Sequence, residues 1–331
     1  MHRGSKKLWG RLMAVYDCCM FLNENDLYEL RLNQHWDFVD KFIVLEAGET
    51  HTGLKKPFNF DKKRFEKYSE KLIYKTFNSF EEEIPKNTNL LDQFTVHDRS
   101  AQGQVTDDWI RDHFQGNYLF KILLEEGARD DDLILISCLD EIISECGFKE
   151  AMKLFEDKDK KYTLLNGSNQ PLFITNPEVT TSGDEWFPKK EFKIRPVFGF
   201  TLDFYVYKFN LYHNTLCAAM MTELSALKIF LPTTLRSMSL HTHDCIEKAG
   251  WHFTFLDDTD GEKVLEKQRS WAHSRDQRPN EKVKFYNTTK EEALEKLFQD
   301  YKLDKVKISE TSHPRYLIEN LDKFKNYIYE E

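Results

Sequence analysis

The sequence has no run of about 18 apolar residues, the length a membrane-crossing helix needs, so no segment is expected to span a bilayer. Cysteines stand at 18, 19, 138, 146, 217 and 245, with no CxxC pair and no disulfide-like rhythm. Reduced thiols follow as the reading, against a stapled secreted scaffold. With 13 glycines and 9 prolines in 331 residues, collagen-like and low-complexity classes are excluded. Positive charge is short: 47 basic residues face 56 acidic ones, a net of −9, which argues against general affinity for nucleic acid or an anionic membrane face. Any phosphate must be gripped locally. Also missing are a P-loop, a GxGxxG after a strand, HExxH, GxSxG and the kinase loops, so a P-loop ATPase or a typical Rossmann dehydrogenase is unsupported.

What is present is a globular composition, 40% hydrophobic and 14% aromatic. A chain of this length buries about three quarters of its unfolded surface. Apolar runs of strand length alternate with helical patterns in the first half, as in an α/β sheet with crossover helices. Strands are expected at Leu12–Met20, Lys41–Glu46, Leu72–Thr76 and Leu133–Cys138, and helices from Asp26 to Asn33, Asp61 to Ser69 and Asp107 to Glu126. In the last of these, Ile110, Phe114, Tyr118 and Ile122 recur at steps of four and mark a buried stripe. Short strands at Tyr162–Leu165, Leu172–Ile174, Phe192–Arg195 and Leu202–Phe209 give the second half an α+β texture. Leu216–Phe230 is ambivalent between helix and strand, and Pro314 opens a helix with Leu317, Leu321 and Phe324 on one face.

Arg3, Lys6, Lys7 and Arg11 precede the apolar run from Leu12 to Leu22 as in a signal peptide, but Asp17 interrupts it and no small-residue cleavage site follows. A basic leader ahead of the first strand is the expectation.

The strongest chemical signal is residues 130–142. An apolar strand there delivers Asp140 and Glu141 to its carboxyl end, the edge where open α/β sheets bind ligands. Two acids so placed can hold a hard divalent cation, which takes up diphosphate charge; a turn or helix cap after a strand would use the same residues. Asp130 to Asp132, before the strand, read as a turn. Gly250-Trp251-His252 is the second signal: His252 as metal ligand or phosphate donor and Trp251 as a stacking ring, or both as packed core. His241 and His243 share a strand face, but no second ligand pair follows at zinc-finger spacing.

In order along the chain, Tyr16-Asp17-Cys18 through Phe21-Leu22-Asn23-Glu24-Asn25-Asp26 to Asn33, Val44-Leu45-Glu46 with Thr50-His51-Thr52-Gly53 and Lys56-Pro57, Trp109 to Asn117, Cys138 to Ile142, Gly250-Trp251-His252, Ser270-Trp271-Ala272-His273 and Pro314 to Asn320 resemble glycosyltransferase family 17, the family of the bisecting N-acetylglucosaminyltransferases. The resemblance implies a GT-A-like α/β fold, a nucleotide-sugar donor such as UDP-N-acetylglucosamine, inversion at the anomeric carbon and a divalent metal, Mn²⁺ or Mg²⁺. Asp140 aligns with the final acid of the family's Asp-x-Asp motif and is the expected metal ligand. Glu141 follows as an acid-base candidate. Two departures stand out: Cys138 replaces the motif's first acid, and Gly116 stands where relatives commonly carry Arg. Arg275 likewise replaces an acid. A positive charge near the diphosphate is then absent, or supplied by Arg111 or Arg236.

Further expectations complete the scheme. Glu46, on the loop after the second strand, is a candidate contact to the donor nucleoside; Asp112 and Gln115 face the cleft; Asn117 caps or packs; His252 is a third metal or phosphate contact and His273 a weaker one. Asp184, Glu185 and Asp203 compete as the base, with Glu185 favoured by Trp186 beside it. Residues 1–11 form the leader, 12–145 the nucleotide-sugar-binding half and 146–331 the acceptor-binding half of one domain. With no anchor expected, the setting is cytoplasmic and the partners are a nucleotide-sugar donor and a glycan acceptor, as in glycan biosynthesis or protein N-linked glycosylation. The departures at 116, 138 and 275 favour a rival reading, a catalytically silent sugar-nucleotide or glycan-binding member.

Overall fold

The computed structural model describes residues 13–91, 107–156, 162–164, 192–194, 197–239, 245–275 and 288–330. Nine strands form one mixed sheet: β1 (Val15–Phe21), β2 (Lys41–Ala47), β3 (Leu72–Phe77), β4 (Leu133–Ile136), β5 (Glu141–Ile143), β8 (Val197–Val206), β9 (Leu211–Glu223), β10 (Cys245–Thr254) and β11 (Asp304–Lys305). The spatial order is β3-β2-β1-β4-β9-β8-β10-β5, with β11 paired to β9. Strands β1 to β4 run parallel, β9 opposes β4 and β8, and β10 is parallel to β8 but antiparallel to β5. A separate hairpin joins β6 (Tyr162–Leu164) to β7 (Phe192–Ile194).

The helices are α1 (Asn25–His35), α2 (Asp107–Glu125), α3 (Glu145–Glu156), α4 (Pro232–Ser239), α5 (Glu262–Ser270) and α6 (Lys290–Asp300), with shorter turns between. They flank the sheet, and each face has its own apolar cluster. One cluster packs Phe21, Tyr28, Phe148 and Phe209; the other packs Phe77, Phe114, Met220 and Phe230. This arrangement explains why β4 reads Leu-Ile-Leu-Ile: both its faces are covered, so all four residues are buried. Among the described residues no helix is long and apolar enough to cross a membrane.

The expected strands of the first half are present within a few residues, and α2 matches its prediction at Asp107. Asp61–Ser69 differs, holding a single 3₁₀ turn at Glu66–Tyr68, because Asn59 and Asp61 tie this stretch to α1 through Asn25. Leu216–Phe230 resolves into the end of β9 and a one-turn helix at Leu224–Leu227. After Pro314 the helix breaks at Asn320 into Arg315–Glu319 and Leu321–Phe324; Leu317 and Phe324 stay buried while Leu321 is exposed. The expected strand at Leu172–Ile174, His241, His243 and the basic leader lie outside the described residues.

One glycine is decisive. A Cβ on Gly250 would sit 2.1 Å from the Ile142 carbonyl oxygen, so its absence lets β10 approach β5 closely enough to set His252 opposite Glu141.

Candidate active site

The carboxyl ends of β1, β2 and β4 open onto a cavity of about 380 Å³. Phe21 ends β1 and Glu24 follows it, Glu49 follows β2, and Cys138, Asp140 and Glu141 follow β4 along its wall. This is where a parallel α/β sheet leaves backbone ends and loops to face a ligand.

The loop from Ser137 to Glu141 is fixed from beneath. Arg31, fully buried on α1, donates from Nη1 to the carbonyls of Cys138 (2.7 Å), Leu139 (3.1 Å) and Glu141 (2.8 Å). Its other donors reach Ser137 Oγ and both oxygens of buried Asp17. His35 adds Nδ1 to Asp17 Oδ2 at 2.7 Å, and its Nε2 accepts the Ile143 N–H at 2.8 Å. Burial pushes Asp17 up, but Arg31 and then His35 outweigh it and hold the carboxyl at about 2. Arg31 thus serves as a rigid rack for the acidic loop.

Above that rack, each acid has a cation. Lys267 of α5 donates to Asp140 Oδ2 at 2.7 Å, and His252 Nε2 lies 3.4 Å from Oδ1. Burial alone would raise Asp140; Lys267 and then His252 outweigh it and hold the carboxyl far below the ordinary carboxylate range. Burial likewise works against the Lys267 ammonium, and Asp140 more than offsets it, keeping the lysine charged. Arg236 of α4 grips both oxygens of Glu141, one at 2.8 Å, and reaches Cys138 Sγ at 3.1 Å. Glu141 Oε2 also accepts the Cys138 N–H at 2.7 Å. Desolvation pushes the Cys138 thiol up, so it stays protonated. The side chains of Asp140 and Glu141 are 7% and 2% exposed, those of Lys267 and Arg236 21% and 29%. All four side chains line the cavity, the cations more exposed than the acids they hold.

Cys138, Asp140 and Glu141 offer three possible ligand atoms within 4.8 Å of one another. As a divalent-metal site the set fits poorly. Sulfur is a soft ligand poorly matched to Mn²⁺ or Mg²⁺, which prefer several oxygen ligands, and each carboxylate already holds a cation. His252 does not repair the set: its Nδ1 is buried with no hydrogen-bond partner, leaving Nε2 to carry the ring proton toward Asp140.

The other expected residues divide clearly. Asp112 and Gln115 do line the cavity, and both bind His51: Gln115 Oε1 is 2.9 Å from Nε2 and Asp112 Oδ1 is 3.2 Å from Nδ1. His273 packs edge-on against Trp109 at 4.5 Å on the same wall. Glu46 lies inside β2 rather than on the loop after it; its buried carboxylate accepts from Lys56, Asn59, Phe60 and Tyr74, and it does not line the cavity. Trp251 turns away from the cavity, because neighbours on a strand face opposite sides; its Nε1 donates to the Ser312 carbonyl at 2.7 Å. Asn117 caps, accepting the Thr233 N–H at the start of α4. Asp203 stands on β8 outside the cavity lining, and Asp184 and Glu185 lie outside the described residues.

Of the two substitutes for the absent arginine at 116, the structure brings in Arg236, whereas Arg111 donates to the His51 carbonyl behind the wall. A Cβ on Gly116 would meet Thr233 Cγ2 at 2.8 Å, so α4 occupies the space a larger residue would need. Lys267 was missed by sequence reasoning. On an amphipathic helix it reads as an ordinary solvated lysine, and no local pattern marks it as the partner of Asp140.

No curated protein matches the chain. Residues 2–162, just under half of the chain, match the model of glycosyltransferase family 17.

Proposed function

We propose that the protein is an inverting glycosyltransferase of GT-A-like architecture that moves a sugar, N-acetylglucosamine in the first instance, from a UDP-sugar to a glycan acceptor. The match of residues 2–162 to glycosyltransferase family 17 supports glycosyl transfer, and with it a sugar donor and an acceptor. The observation that carries the reading is the cavity at the carboxyl ends of the parallel strands, with paired acids and cations at its base and aromatic rings of Phe21, Trp109 and Trp271 on its walls. Charged groups there suit a diphosphate, and flat apolar rings suit a sugar or base.

In this reading the acceptor oxygen bonds to the anomeric carbon as the bond to the β-phosphate oxygen breaks and its electron pair leaves with UDP. The hydroxyl proton passes to a carboxylate. Glu185 remains our proposed base. Glu141 is better assigned to holding Arg236, since both its oxygens are engaged by that side chain and a base must be open to substrate. Residues 12–145 are proposed to contribute most of the donor side, with Asp112 and Gln115 in the wall and Arg236, His252 and Lys267 reaching in from the second half.

The test is release of UDP from a panel of UDP-sugars with glycan acceptors. Turnover of one donor, dependent on acceptor, supports the proposal. Saturable donor binding with no turnover under any condition supports the silent sugar-nucleotide-binding reading, which the cysteine at 138 favours. Failure to bind any nucleotide sugar rejects both.

A further inference from the structure

We propose that Lys267 and Arg236 neutralise the donor diphosphate in place of a divalent cation, so that nucleotide binding and sugar transfer proceed without metal. This rests on the glycosyl-transfer reading of the same cavity. Three observations converge. First, the ammonium and the guanidinium line the cavity beside the two acids, and each is more exposed than the acid it holds. A divalent ion entering from the cavity would have to displace Lys267 from Asp140 and Arg236 from Glu141, a poor exchange for two buried charge pairs.

Second, the residue that would make an oxygen-rich ligand set is a soft sulfur ligand, and Arg236 Nη2 already lies 3.1 Å from its Sγ. Among the described residues no other group of three candidate ligands exists, and His252 Nε2 lies 3.4 Å from Asp140 Oδ1. Third, the cations are mounted as a diphosphate needs them. An ammonium has three donors, of which Asp140 Oδ2 and Thr254 Oγ1 take two, at 2.7 and 3.3 Å. Its four-carbon stem comes from α5, α4 supplies the planar guanidinium suited to phosphate oxygens, and both side chains line the cavity. During transfer the carbon–oxygen bond to the β-phosphate breaks, and the electron pair stays on UDP, whose added negative charge these two groups stabilise. No proton moves to or from either. Asp140 and Glu141 are then positioning residues that keep the cations charged and aimed.

The experiment uses the full chain and two probes, Mn²⁺ and UDP. In an electron paramagnetic resonance titration without nucleotide, the expected result is no stoichiometric Mn²⁺ site. A site present in the native chain and lost in Asp140→Asn overturns the proposal. In calorimetry, UDP affinity is expected to agree within about twofold between chelator and excess Mn²⁺; tightening by about tenfold or more with Mn²⁺ overturns it. Lys267→Ala is expected to weaken UDP by about tenfold or more, with Lys267→Arg restoring most of the loss; equal affinity in all three chains overturns the role of Lys267. Because the native chain is read alone in the first two arms, a misfolded variant does not rescue the idea. The two levels separate cleanly: UDP bound without metal but no sugar transferred rejects the transfer reading, transfer that needs Mn²⁺ rejects this one, and no UDP binding under either condition rejects both.

Discussion

Two constellations of acids and cations sit one above the other in this molecule, and they differ in which way they face. In the lower one, Asp17, Arg31 and His35 are 0–1% exposed and every polar group points at the protein, with Arg31 spent on Asp17 and on the carbonyls of the 137–141 loop. In the upper one acids and cations both line a cavity, the acids 2–7% exposed and the cations 21–29%. The same pairing chemistry therefore serves two ends: sealed on all sides it fixes backbone, and opened on the cationic side it leaves charge available to an anion. A buried pair is poor evidence of function until its exposure is known residue by residue.

That contrast can be broken most forcefully from below. Arg31→Ala strands the Asp17 carboxylate and several loop carbonyls, and should cost about 3–5 kcal/mol in denaturant unfolding. A loss under about 1 kcal/mol would mean the rack does not hold the loop. In the upper set the matching change reads out as binding, the weakened grip on UDP expected of Lys267→Ala.

Packing between α2 and α4 gives the next effect. Gly116→Ala pushes a methyl to within 2.8 Å of Thr233 Cγ2 and should cost about 1–3 kcal/mol while shifting Arg236, so UDP affinity falls with stability. Unchanged thermal melting and affinity would show that α4 has room to give.

Acid should act on the lower set in two steps. Desolvation holds His35 below its ordinary value, so the stability of its neutral form is complete above about pH 6.5 and is lost as pH falls below that. Asp17, depressed to about 2, contributes fully above about pH 4 and is lost between there and about pH 2. Melting temperature should thus decline in two stages on acidification. In Asp17→Asn the lower stage should shrink; a profile identical to the native chain would remove Asp17 from the account.

The smallest effect expected is at Trp251. Trp251→Phe loses the bond to the Ser312 carbonyl, worth about 1 kcal/mol, and should leave UDP affinity untouched because the ring faces away from the cavity. A clear loss of affinity would restore the ring-stacking role read from the sequence.

Legibility was uneven for identifiable reasons. β4 was readable because its burial follows a local apolar run, and Asp140 because a strand end at an acid is a local pattern; of the stripe expected on α2, Phe114 and Ile122 are buried but Ile110 and Tyr118 only half-buried, because Trp109, Gln115 and Asn117 are buried by tertiary contacts as well. The length of α1 and the fate of Asp61–Ser69 were less so, since long-range ties from Asn25 and Asn59 decide them. Glu46 and Trp251 were placed in the site by their motifs, yet strand alternation and four donors turned them to structural work.

By itself the sequence determined the alternation of strands and helices, the absence of a bilayer-crossing run, the family resemblance and the delivery of Asp140 and Glu141 to a strand end. These depend on composition and on patterns within a few residues. Only the tertiary structure decided that Lys267, 127 positions from Asp140, and Arg236, 95 from Glu141, become their partners and face the cavity. The reason is that charge compensation is a property of distance and burial in space, and both are created when α4 and α5 close over the sheet.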